Sequence, residues 1–129
     1  MSKQNQGFTL VELMLVVAII ALMAAIAIPN MIRARIESNE AAAQASLKTI
    51  STALENYASV FSSYPTDPNT LLTASPPYLS TDYFTGAHNG YTFTANLSTY
   101  TYAIVAVPIS SNHGTSNFTI STGSVLTEN

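Results

Sequence analysis

Cysteine is absent from the 129 residues, which rules out disulfides and thiol chemistry and leaves no mark of a redox compartment. Positive charge is scarce. The four Lys/Arg are Lys3, Arg33, Arg35 and Lys48, against a net charge of −3. No basic stripe is available to a phosphate backbone, so nucleic acid is not implied as a direct partner. Charged residues amount to 9%, far below the roughly 25% of an ordinary soluble domain. From Asn56 onward the only charged side chains are Asp67, Asp82 and Glu128, in a Ser/Thr-rich stretch without internal repeats. There is no phosphate-cradling glycine loop, no metal-ligand cluster and no acid–base–nucleophile constellation. His88 and His113 each lie beside Gly or Asn in loop-like stretches and read as surface residues. Nothing here points to an enzyme, a cofactor or a metal.

What the chain does have is one long apolar run. The 21 residues from Phe8 to Ile28 would rise about 31 Å as a helix, close to the roughly 30 Å of bilayer hydrocarbon. The run is apolar on every side, which suits lipid or the centre of a helix bundle. Ala18, Ala21 and Ala25 place small side chains where a second helix can approach, although alanine is common in any such helix. Glu12 breaks the pattern. An intramembrane acid costs roughly 2.5–3.5 kcal/mol on insertion scales and therefore needs a partner. Charge bias does not orient the run, because Lys3 precedes it while Arg33, Arg35 and Lys48 follow.

A secretory signal is cut after its apolar region. Here the polar leader MSKQNQG comes first, ending in the small residue Gly7. Cutting between Gly7 and Phe8 would leave the apolar helix on the mature chain, beginning at its free amino terminus with Glu12 in its first turns. Gly7, Phe8, Thr9, Leu10, Glu12, the run 13–28 and the Ile-Pro-Asn ending at Asn30 resemble the processing signal of type IV pilins and the related pseudopilins of type II secretion. The resemblance extends over residues 7–55. It implies that residues 1–7 form a leader removed by a prepilin peptidase, which then methylates the new terminus at Phe8. It also implies that Glu12 meets the terminal amine of a neighbouring subunit as a helical homo-oligomeric filament assembles. A carboxylate and an ammonium in low dielectric relieve each other's desolvation, and only the correct register neutralises both. The residues alone leave two other states open, a contact with the chain's own amine or a protonated acid. Pro29 has no N–H and its ring opposes the carbonyl of Ala25, so a kink or local loosening is expected there. It reads equally as a static bend or as a point that adjusts when the chain leaves the membrane.

Beyond Pro29 the pattern becomes amphipathic. Ile36, Ala43, Leu47, Ile50, Leu54, Tyr57 and Phe61 recur at steps of 7, 4, 3, 4, 3 and 4, an apolar seam at helical spacing. Glu40, Gln44 and Lys48 fall on one face at i, i+4 intervals. Tyr64-Pro65 blocks continuation, which puts the helix end near Ser62. Residues 64–90 hold four of the six prolines and read as an irregular connection with one short helical turn at Asn69–Leu72. GYTFTAN, YTYAIVAV and NFTIS alternate as strands, with a turn near Asn96–Ser98. The expected fold is α+β: a long N-terminal helix packed on a small 3–4-stranded antiparallel sheet. Its parts are the leader 1–7, an apolar membrane or filament-core helix 8–29, an amphipathic half 30–62 and a loop-plus-sheet head 63–129. A head this small needs the helix in its core. The aromatics read as core.

Asn96-Leu97-Ser98 and Asn117-Phe118-Thr119 match the N-glycosylation pattern, making Asn96 and Asn117 candidate acceptors. The resemblance implies a structural subunit with an inner-membrane assembly platform and the membrane itself as earlier partners. The precursor would be a single-pass inner-membrane protein, later a cell-surface pilus serving adhesion, motility or uptake. The alternatives are a secretion pseudopilin, a minor pilin or a membrane-anchored binding domain. The tail after Pro108 has no Asp, so the aspartate loop with which major pseudopilins hold calcium is missing. Zero Cys likewise forbids the C-terminal disulfide of many pilins.

Overall fold

A computed structural model describes residues 7–129; the rest of the expected leader, residues 1–6, lies outside the described residues. The chain divides into one unit ending at Ala34 and another from Arg35 to Asn129. Helix α1, Leu10–Phe61, contributes to both and continues through Pro29 without interruption.

In the first unit the apolar side chains of α1 stand exposed from Leu10 to Ile32. By length and composition this helix is able to cross a membrane. Its apolar character all round leaves no single stripe for a globular core to cover.

The second unit holds the core. From Ala43 the seam turns inward: Ala43, Leu47, Ile50 and Leu54 are fully buried, as the helical spacing requires. Tyr57 and Ile36 are half-buried, whereas Phe61 at the end of the seam is 56% exposed and stacks at 4.5 Å on Tyr57. The seam therefore closes one turn earlier than its periodicity suggests, just before the chain leaves the helix at Ser62, where φ is 55°. Ser46, Ser51 and Ala53 are also buried, widening the contact face beyond the apolar positions.

Five antiparallel strands, not three or four, complete the unit: β1 Ala87–His88, β2 Tyr91–Leu97, β3 Tyr102–Pro108, β4 Phe118–Ser121 and β5 Val125–Glu128. They follow one another in chain order as a meander. The alternation of a half-buried strand is clear in β2 to β4, where Tyr91, Phe93, Tyr102, Ile104, Ala106, Phe118 and Ile120 face the helix. Leu97 pairs with Tyr102, so β2 runs past the turn expected at Asn96–Ser98 and the chain reverses over residues 98–101. The short helix α2, Asn69–Thr73, adds Leu71 to the core, and Leu79 follows from the connection. Asp67 and Asp82 serve as turn residues, accepting from the amides of Asn69 and Phe84, each at 2.9 Å.

Candidate functional site

The predicted processing residues sit at the start of α1. No described atom outside its chain neighbours would touch a side chain added at Gly7, and Phe8 is 84% exposed, so the Gly7–Phe8 bond is open to a protease. Thr9 caps the helix. Its hydroxyl accepts from the Glu12 amide at 3.2 Å, while its own amide and hydroxyl both donate to Glu12 Oε2 at 2.8 Å. Thr-x-x-Glu is a capping box, in which the third helical residue reaches back to the cap. Glu12 thus has a place in the isolated chain: its carboxylate satisfies donors that the first helical turn would leave without partners.

Among the sequence-predicted positions, Pro29 lies inside α1 in the first unit. Asn96 is exposed on β2, paired across to Ala103, and Asn117 is exposed with its amide and carbonyl bonded to Asn129 at 3.0 and 2.9 Å. His88 and His113 are half-buried, not at the surface. His88 packs against Tyr83 and Phe93 with ring centroids 5.4 and 6.5 Å away, and its Nε2 is buried without a partner among the described residues. His113 Nδ1 bonds Ser110 at 2.8 Å.

Two acids of α1, Glu40 and Glu55, bond the helix to distant parts of the second unit, contacts that sequence reasoning did not predict. Glu40 does not serve a ladder along its own helix face. Its Oε1 accepts the amide and hydroxyl of Thr115, both at 2.8 Å. The Thr115 amide, foremost, holds this carboxyl below its ordinary range. Next to it Asn39 donates to the His113 carbonyl at 3.0 Å, so the loop between β3 and β4 is pinned to α1 at two points. Glu55 accepts three donors: the hydroxyls of Tyr64 and Tyr102 at 3.1 and 3.0 Å, and the Gly123 amide at 3.1 Å. The Tyr102 hydroxyl also meets Ser51 at 2.8 Å, and Ser51 meets Ser124 at 2.7 Å. Burial, reinforced by Glu55, pushes the Tyr64 phenol up to about 12. The interval of four between Ser51 and Glu55 was the available signal, since it places both on one helix face. Their partners lie more than forty residues away for Tyr102, which local pattern does not reach.

Among the described residues no three His, Asp or Glu side chains gather in a way that could hold a metal.

Residues 2–28 match the family described as the prokaryotic N-terminal methylation motif. The chain is 50% identical over 54 residues to the type IV major pilin protein PilA of Myxococcus xanthus, covering 42% of this chain and 24% of that protein. It is 31% identical over 110 residues to the type IV wide pilus major component PilA4 of Thermus thermophilus, covering 82% of this chain and 84% of that one. This chain belongs to the type IV pilin family. The pilin fold follows the expected plan of a long N-terminal helix on an antiparallel sheet, and the family is structural, not enzymatic. The match to the Myxococcus pilin covers less than half of the chain, whereas that to the Thermus pilin, at 110 of 129 residues, necessarily reaches into the head.

Proposed function

We propose that this pilin is cut between Gly7 and Phe8 by a prepilin peptidase, methylated on the Phe8 amine and polymerised into a pilus of identical subunits. Before assembly, residues 8–29 hold it as a single-pass protein of the inner membrane, and an assembly platform there draws it into the filament at the cell surface. The observation that carries this reading is the exposed apolar half of α1, covalently continuous with a head that has its own core. Such a surface does not remain in water. Lipid covers it first and neighbouring helices cover it later, and only polymerisation offers the second. Glu12 supports the same reading. Its capping partner Thr9 directly follows Phe8, so cleavage creates an amine on the residue before the one that holds the Glu12 carboxylate at the helix start. Pro29 leaves the Ala25 carbonyl without an intrahelical donor and so provides a point of local loosening on leaving the membrane. Asn96 and Asn117 are exposed positions at which glycosylation would decorate the head.

The test is expression with a cognate peptidase and assembly machinery, followed by electron microscopy and mass spectrometry of sheared surface material. Filaments whose subunit begins at methylated Phe8, and which Glu12→Gln depletes, are the expected result. Cleaved chain that stays in the membrane without filaments would overturn the major-subunit reading, and uncleaved chain would overturn the processing step.

A further inference from the structure

From Ile36 to Asn129 the chain carries six acids and a single Lys or Arg, Lys48. Five of the acids are engaged within the chain. Glu40 holds Thr115, Glu55 holds Tyr64, Tyr102 and Gly123, and Glu128 holds Ser116. Asp67 and Asp82 each accept turn amides. Glu37 and Lys48 are the remainder: both are exposed, and neither side chain makes a hydrogen bond or ion pair with a described residue. They sit on one face of α1. Eleven residues amount to three turns plus about 20°, and Ala41 and Ala45, also exposed, lie on the same line between them. This face is opposite the one that Ala43, Leu47, Ile50 and Leu54 bury.

Within one chain the two charges cannot meet, because eleven residues of helix hold them about 16 Å apart. A second copy displaced along α1 by that amount brings its Glu37 level with Lys48 of the first. The alanines between them let the two helices come as close as helix packing allows. The second copy's Lys48 is then free for the Glu37 of a third, so the contact runs head to tail and does not close. An antiparallel pair would satisfy both charges at once and close as a dimer. Copies anchored by the apolar half of α1, however, enter the membrane in one orientation. We propose that this face of α1 docks on a second copy of the chain, with Glu37 of one subunit against Lys48 of the next. This contact presupposes the filament reading above and supplies what that reading lacks, a charge pair that fixes the stagger between neighbouring subunits. One such pair adds little cohesion. Repeated at every subunit, it rejects staggers that set like charges against each other.

The test uses the same assembly system with Lys48→Glu, Glu37→Lys and the exchanged double variant. Each single variant should be cleaved and held in the membrane like the wild type. Each should nevertheless give about ten-fold fewer filaments, because like charges then face each other at every contact. The exchange should restore them. Since the chain has no cysteine, Glu37→Cys combined with Lys48→Cys carries the only two thiols. A short bis-maleimide applied to its filaments should give a ladder of trimers and larger species on denaturing gels, and neither single cysteine should pass the dimer. Wild-type filament yield from both single charge variants, or an exchange no better than either, would overturn the proposal. So would cross-linking of the double-cysteine filaments that stops at the dimer, the mark of a closed antiparallel pair. These outcomes leave the filament reading intact, whereas a wild type that makes no filaments would overturn that reading and this contact with it.

Discussion

A single carboxylate oxygen of Glu12 accepts both the amide and the hydroxyl of Thr9 at 2.8 Å. The acid that the family resemblance reserves for a neighbouring subunit is therefore already engaged within its own chain. The two roles separate experimentally, because glutamine also completes a capping box but carries no charge. Glu12→Gln should keep the start of α1 protected from amide exchange in micelles and still deplete filaments. Glu12→Ala should lose both, with protection of the first turn falling about five-fold for a cap worth about 1 kcal/mol. Equal exchange in the Gln and Ala variants would show that the cap does not use this carboxylate.

Glu55 acts as a junction where the helix, Tyr64 three residues beyond its end, Tyr102 of β3 and the β4–β5 turn meet. Removing its carboxylate leaves three donors to find water, and the buried share of that loss sets the cost. Glu55→Ala should destabilise the head by about 2–4 kcal/mol, and Tyr102→Phe by about 1–2 kcal/mol because Ser51 keeps Ser124 as a partner. Near-UV circular dichroism during thermal unfolding of the full chain in micelles reads both. The double variant should fall short of the sum of the singles, since the two share one hydrogen bond. Full additivity would dissolve the network into independent contacts.

The helix and the inner strands were legible because their periodicities are strong. Ala43, Leu47, Ile50 and Leu54 repeat at helical spacing, and Tyr91, Phe93, Ile104, Ala106, Phe118 and Ile120 at strand spacing. β1 is two residues long and carries no alternation. Its signal was the Asn89-Gly90 pair, which takes φ of 51° and 78° and joins His88 to Tyr91 in a two-residue hairpin. β5 is exposed except at Leu126, so hydrophobic pattern was silent about it. Gly7, Phe8 and the Thr9–Glu12 contact lie within six residues of one another, a span that local pattern reaches. Glu40 and Glu55 belong to contacts 75 and 47 residues apart in sequence and depend on the finished packing.

Gly114 is required by space, not by backbone angle. A Cβ there would overlap the phenol of Tyr91, a fully buried ring whose hydroxyl donates to the Ser116 carbonyl at 3.0 Å. Tyr91 also lies against Phe118 at 6.0 Å, so it has little room to withdraw. Gly114→Ala should destabilise the head by about 1–3 kcal/mol, the usual range for overpacking. Adding Tyr91→Phe should recover part of that loss by removing the nearest atom. An unchanged melting temperature for Gly114→Ala would mean that the loop between β3 and β4 shifts freely, contrary to its pinning by Asn39 and Glu40.

The same contacts determine how the head responds to pH. Glu40 is held below its ordinary 4.5 by the Thr115 amide, so its contribution is present above that value and is lost as pH falls through its lowered folded pKa. Asp82, lowered first by the Thr85 hydroxyl and then by the Phe84 amide, adds to the same acid limb. Tyr64 and Tyr91 behave oppositely. Burial pushes both from 10.0 up to about 12, so their contribution is complete below pH 10.0 and disappears as pH rises to about 12. Melting temperature in micelles should therefore be flat from about pH 5 to about pH 10 and fall on both sides. Glu40→Gln should shallow the acid limb without touching the alkaline one. Tyr64→Phe should do the reverse, because it keeps the ring 4.9 Å from Tyr102 while removing the ionisable hydroxyl. If Tyr64→Phe leaves the alkaline limb as steep as before, Tyr64 is not among the groups that the fold keeps neutral.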